Sequence, residues 1–131
     1  MKEQLRMMEE FHLAFGHPVN QPHLMGDVSF VKLREKLIYE EMMEICDQLY
    51  DDCQANGKIS PNLLKEGADL LYVLLGTFVS LGLGDQLIEA FKRVHESNMS
   101  KLDENGKPIY RNDGKVLKGP NYRPPNLTDL V

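Results

Sequence analysis

Residues 40–44 read Glu40-Glu41-Met42-Met43-Glu44, and residues 66–69 read Glu66-Gly67-Ala68-Asp69. Both segments sit in stretches of helical periodicity, where residues three and four apart are neighbours on one face. Glu40 and Glu44, Glu41 and Glu44, and Glu66 and Asp69 are therefore expected to project side by side. Two such helices packed antiparallel would gather five negative charges. Carboxylates in contact repel unless protons or cations intervene, and an oxygen-only donor set suits a hard divalent ion such as Mg²⁺. The pattern is that of a metal site.

The first acidic segment belongs to a helix expected from about Phe30 to Ala55, stopped by Asn56-Gly57, with Asp27 or Ser29 as its cap. Phe30, Leu33, Leu37 and Ile45 define its apolar stripe. With Leu37 at zero on the helical wheel, Glu41 falls at roughly +40° and Glu44 at roughly −20°, inside the stripe, while Glu40 sits at its edge near roughly −60°. Binary patterning would put Leu or Ile there. A carboxylate facing a core without compensation costs several kcal/mol, so Glu41 and Glu44 imply a partner or a function. Glu35 and Asp51-Asp52 read instead as a solvated acidic face.

Pro61 opens the next helix, Asn62 to about Leu81, which carries the second acidic segment. One of its faces holds Leu63, Leu71, Leu74 and Phe78, an ordinary core stripe; the opposite face holds Glu66, Asp69, Val73 and Gly76. A helix apolar nearly all round must be covered on most sides, which a single chain with four helices can hardly do. A homodimer, or a dimer of dimers, is expected. The flanking helices are Lys2 to Phe15, ended by Gly16 and Pro18, and a fourth capped by Asp85 and running to about Asn98. Between the first two lies a loop, His17 to Asp27. Beyond residue 100, Asn105-Gly106 and Asn112-Asp113-Gly114 flank Pro108-Ile109-Tyr110 and Lys115-Val116-Leu117, suggesting a small hairpin before an extended, proline-bearing tail. The expected architecture is all-α, a four-helix bundle completed by dimerisation, in a single domain spanning 1–131 with its helical core at about 2–99 and the tail at about 100–131.

At 131 residues and 42% hydrophobic content, one domain with a real core is the natural expectation. The N-terminus lacks the uninterrupted apolar region of a secretory signal, and the longest apolar stretch, Leu70 to Leu83, is too short to span a bilayer. A cytoplasmic protein with no membrane partner follows. The net charge of −5 argues against a nucleic-acid partner. The acidity is uneven: nine Lys/Arg face sixteen Asp/Glu up to residue 100, against six and four beyond it. An anionic substrate would need bound cations to approach the acidic helices. Cys46 and Cys53, seven residues apart on one helix, are about 10 Å apart and too distant for a disulfide, so both read as reduced packing residues. The four His form no ligand set; Glu9-x-x-His12 has di-iron spacing but no second copy, which leaves His12 a surface or packing residue.

A Glu-Glu-x-x-Glu followed on the next helix by Glu-x-x-Asp resembles the signature of the all-α nucleoside triphosphate pyrophosphatases, the superfamily of MazG-like proteins, dimeric dUTPases and phosphoribosyl-ATP pyrophosphohydrolases. The similarity continues through Phe91 to Lys101 and Lys115 to Tyr122. The resemblance implies a helical dimer that uses Mg²⁺, with Mn²⁺ a possible substitute, to hydrolyse a nucleoside triphosphate to the monophosphate and pyrophosphate by metal-activated water. It implies Glu41, Glu44, Glu66 and Asp69 as metal ligands, and Glu40 as a further ligand or, like Glu41, a candidate general base. Asn98 and Lys101 match positions used near the nucleotide, and Lys118, Tyr122 and Arg123 are candidates to close over the substrate, whereas Lys115 and Arg111 are expected to face solvent. His95 is a candidate substrate donor or a helix cap. The leading expectation is nucleotide-pool house-cleaning on non-standard or deoxynucleotides. Its enzymatic rival is the phosphoribosyl-ATP step of histidine biosynthesis, and its rival from another class is an idle helical dimer that binds a nucleotide or protein.

Overall fold

The computed structural model describes residues 1–131, which form four α-helices and no strand. The chain divides into two compact units, Met1–Gly84 and Asp85–Val131. The first holds α1 (Lys2–Phe15), a short 3-10 turn (Pro22–Gly26), α2 (Val28–Gln54) and α3 (Pro61–Ser80). The second holds α4 (Gly84–Met99), whose first residue sits at the boundary, and the tail.

Each helix boundary has a local cause. Gly16 ends α1 in the left-handed conformation, φ 72°, which glycine adopts at little steric cost. Asp27 begins α2: its Oδ1 accepts from the amides of Ser29 at 2.9 Å and Phe30 at 3.2 Å, satisfying two donors that a helix start leaves open. Pro61 opens α3 at a position whose missing N–H costs nothing. Gly84 already lies inside α4, so Asp85 sits in the first turn rather than at the expected cap, where its charge still suits the helix dipole.

The turn between α2 and α3 is held by a residue that the sequence pattern assigned to solvent. Asp52 is 8% exposed. Its carboxylate accepts from the Ser60 amide at 2.8 Å, the Ser60 hydroxyl at 3.1 Å and the Gln48 side-chain amide at 2.8 Å. Asn62 in turn donates to Gln48 at 2.6 Å. With Gln48 beside Asn62 and Arg34 beside Thr77, α2 and α3 run antiparallel along a shared seam.

The core of this unit is small and partly polar. Leu5, Met8, Leu75, Val79 and Leu81 are its buried apolar side chains, and His12, Ser80 and Arg34 are buried with them. His12 Nδ1 donates to the Pro18 carbonyl at 2.9 Å, and the Ser80 hydroxyl donates to the same oxygen at 2.9 Å. His12 is thus a packing residue between α1 and α3. Gly76 makes this possible: a Cβ there would lie 2.8 Å from Arg34 Nη2 and 2.9 Å from His12 Nε2. The inward faces of α3 are therefore those of Glu66, Leu75, Gly76 and Val79, while Leu71 and Leu74, expected in the core, stand 38% and 36% exposed. Cys46 and Cys53 are free thiols as expected, yet both are exposed rather than packed.

In the second unit the expected hairpin reduces to one antiparallel bridge, Tyr110 with Val116, around a turn in which Asp113 accepts from the Lys115 amide. The side chains of this hairpin have no second layer to pack on, so pairing stops after one rung. The tail then returns along α4. Arg93 donates to Asp129 and to Glu89, and the Ser97 hydroxyl donates to the Arg123 carbonyl at 2.7 Å.

Candidate metal centre

Along the α2–α3 seam, two turns from the Asp52 lock, Glu41 and Glu44 of α2 meet Glu66 and Asp69 of α3. One carboxylate oxygen of each lies within 4.8 Å of all the others. The antiparallel pairing creates this: each helix presents its acids one turn apart, and the seam brings the two pairs level. Glu66 is buried, Glu41 and Asp69 half-buried, and Glu44 exposed. Glu40 does not join them. It turns to the outer face of α2 and pairs with Lys36 at 3.8 Å, so four carboxylates converge where five were expected.

Two unit charges at this separation repel by about 3 kcal/mol at an effective dielectric of about 20, so the cluster needs compensation. Lys65, one residue before Glu66, supplies part of it, reaching Asp69 at 2.8 Å and Glu66 at 3.4 Å. The hydrogen bond to Asp69 pushes the Lys65 ammonium above its ordinary pKa. The compensation is incomplete. A hydrogen bond shared with Glu66, then the charge of Glu41, raises the Glu44 carboxyl above the usual range. Glu41 Oε2 and Glu66 Oε2 are buried with no hydrogen-bond partner. Unpartnered buried carboxylate oxygens are rare, and four all-oxygen donors on two rigid helices match what a hard divalent cation requires. The residues present fit such an ion.

Lys65 was not singled out from the sequence, although its i,i+4 spacing to Asp69 was there to find. The Asn62 side chain, which donates to Glu66 at 3.3 Å, was also missed. In the second unit, Asn98 is exposed at the end of α4, Lys101 is half-buried just beyond it, and Lys118 lies over the Tyr122 ring at 4.8 Å from its centroid. His95, Arg111, Lys115 and Arg123 are exposed. Arg111 is paired with Asp113.

An all-α chain whose two longest helices converge four acids on one point is a helical protein with an acidic, divalent-cation type of centre. The profile of the phosphoribosyl-ATP pyrophosphohydrolase family matches residues 8–98, and the chain belongs to that family. It is accordingly a hydrolase acting on phosphorus-containing anhydrides, within the all-α nucleoside triphosphate pyrophosphatase superfamily. The matched span contains all four carboxylates. No curated protein matches the chain. No single helix is long and apolar enough to cross a membrane.

Proposed function

We propose that this chain is a Mg²⁺-dependent pyrophosphohydrolase that cleaves the α–β anhydride of a nucleoside triphosphate, releasing the monophosphate and pyrophosphate, and that it acts in house-cleaning of the nucleotide pool. The four-carboxylate cluster carries the reading. Glu41, Glu44, Glu66 and Asp69 would hold the ion, which when bound neutralises substrate phosphates and acidifies a coordinated water.

The chain's own residues supply the rest. Water adds to the α-phosphorus, the bond to the bridging oxygen breaks, and the released proton needs an acceptor. Glu41, half-buried with a free Oε2, is the better placed acceptor; Glu40 is engaged by Lys36 on the outer face. Lys65 holds Asp69 and Glu66 in position and offsets their charge. The rigid pair α2–α3, locked at the Asp52 turn, keeps the acids in register without help from substrate. Asn98, Lys101, Lys118 and Tyr122 are proposed nucleotide contacts, the two lysines as point charges for phosphate. We further propose a single functional domain acting as a homodimer, or a dimer of dimers, in the cytoplasm.

A second reading, the hydrolysis of phosphoribosyl-ATP, is favoured by the family match over residues 8–98 and uses the same cluster. Pyrophosphate release from a panel of ribo- and deoxynucleoside triphosphates and phosphoribosyl-ATP, with and without Mg²⁺, separates the two. Glu41→Gln and Asp69→Asn are each expected to lower turnover by at least about a hundredfold while the circular dichroism spectrum keeps its helical form. Wild-type turnover in either variant overturns the assignment. Binding without turnover on every substrate would point to the idle dimer.

A further inference from the structure

Seven residues before Glu41, on nearly the same face of α2, lies Arg34, only 8% exposed. Its guanidinium makes two hydrogen bonds, Nε to Thr77 Oγ1 at 2.9 Å and Nη2 to the Val73 carbonyl at 2.8 Å. Thr77 donates its own hydroxyl proton to Val73 at 2.9 Å, which leaves its oxygen free to accept from Arg34. No carboxylate lies within ion-pair distance of the guanidinium, and Nη1 donates to no protein group. A buried cation with no counter-charge is costly, and Arg34 is one. Burial lowers its affinity for its proton, with no neighbouring acid to restore it.

Arg34 borders a groove of about 390 Å³, lined among others by Met25, Phe30, Val31, Ile38, Tyr39 and Met42. That volume lies in the range of small-molecule sites, and a nearly apolar lining of aromatic rings and thioethers with a few polar side chains, here Arg34, Glu35 and Thr77, is typical of them. Flat rings and polarisable sulfur suit a planar heterocycle. The position suits one as well. Seven residues of helix separate Arg34 from Glu41 by roughly 10 Å along the axis and roughly 20° around it, and Met42 continues directly from Glu41 into the groove. A nucleotide with its phosphates at the acidic cluster has its base two helical turns away.

We propose that this groove takes the base of the nucleotide substrate, and that Arg34 donates to a carbonyl oxygen on the ring and so selects bases that carry one there. The inference rests on the nucleotide reading above. A second copy of the chain is the poorer occupant: the apolar stripe left open on α3, Leu64, Leu71 and Leu74, is turned roughly 60–140° away from Thr77. An apolar helix from a partner would also leave the Arg34 charge uncompensated.

The test uses the whole chain, stripped of metal by chelation, with its methionine methyls ¹³C-labelled and titrated with nucleosides that carry no phosphate. The ligands form two pairs, uridine against its analogue lacking the 4-carbonyl, and inosine against purine riboside. The Met25 and Met42 methyls are expected to shift and saturate with at least one carbonyl nucleoside, and its partner to bind at least about tenfold more weakly, the worth of one hydrogen bond to a charged donor. Arg34→Lys is expected to erase that preference. Because Arg34 also ties α2 to α3, Tyr39→Ser provides a second arm: Tyr39 is 56% exposed, and its loss is expected to weaken nucleoside binding at least about fivefold with the helical content unchanged. Silent Met25 and Met42 methyls, equal affinity within both pairs, or shifts that follow protein concentration rather than nucleoside would overturn the proposal. Pyrophosphate release with silent methyls sinks the groove alone; nucleoside binding without turnover supports the groove and sinks the hydrolase reading.

Discussion

At the scale of single residues, the first unit places charge where an apolar pattern would not. Glu66 and Arg34 are both buried on the α2–α3 seam, and neither is matched within the protein in the usual way: Glu66 keeps a free oxygen, and Arg34 has no acid. His12 is the third such group, 1% exposed and hydrogen-bonded to Pro18 through Nδ1. Burial holds its pKa below the ordinary 6.5, with the Arg34 charge acting in the same direction. In the unfolded chain His12 takes up a proton near pH 6.5, whereas the folded protein resists it until lower pH, so folding loses stability as pH falls below about 6.5. Melting temperature should therefore drop between pH 7 and pH 5, and the drop should flatten in His12→Asn even though that variant melts lower at pH 8. An unchanged slope would assign the effect to other groups.

At the scale of elements, α2 is the part on which the site depends. Its 27 residues run from the Asp27 cap to just beyond the Asp52 lock, and an aspartate fixes the backbone at each end. Asp27→Ala removes the acceptor of two amides and is expected to cost about 1 kcal/mol, read as a lower midpoint in urea denaturation with the slope unchanged. A loss of less than a few tenths of a kcal/mol would mean that neighbouring groups or water cap the helix equally well.

At the scale of the molecule, the chain buries few apolar side chains for its length, and the stripe Leu64, Leu71 and Leu74 on α3 remains open. A stripe of leucines at helical spacing, exposed on the most apolar helix of a chain, is the kind of surface that a second copy covers. Sedimentation velocity at micromolar concentration should give a dimer or larger assembly. Leu74→Glu, which puts a charge at the C-terminal end of that stripe, should shift it towards monomer by at least about tenfold in dissociation constant. A wild-type monomer would leave the exposed leucines without this explanation.

Four helices, their boundaries to within two residues, and the convergence of Glu41, Glu44, Glu66 and Asp69 were legible in the sequence. Each rests on interactions between residues close in the chain: periodicity, caps, and the one-turn spacing that makes neighbours of residues three or four apart. Only the tertiary structure decided that Glu40 turns outward to Lys36, that Asp52 is buried on Ser60, that the Leu71 face of α3 is open, and that Arg34 meets Thr77 and Val73. These outcomes depend on how far each helix is rotated about its own axis when it packs. A turn of about 100° separates successive residues, so a modest rotation exchanges a buried position for an exposed one. Spacing along the chain fixes which side chains share a face; packing alone fixes what that face meets.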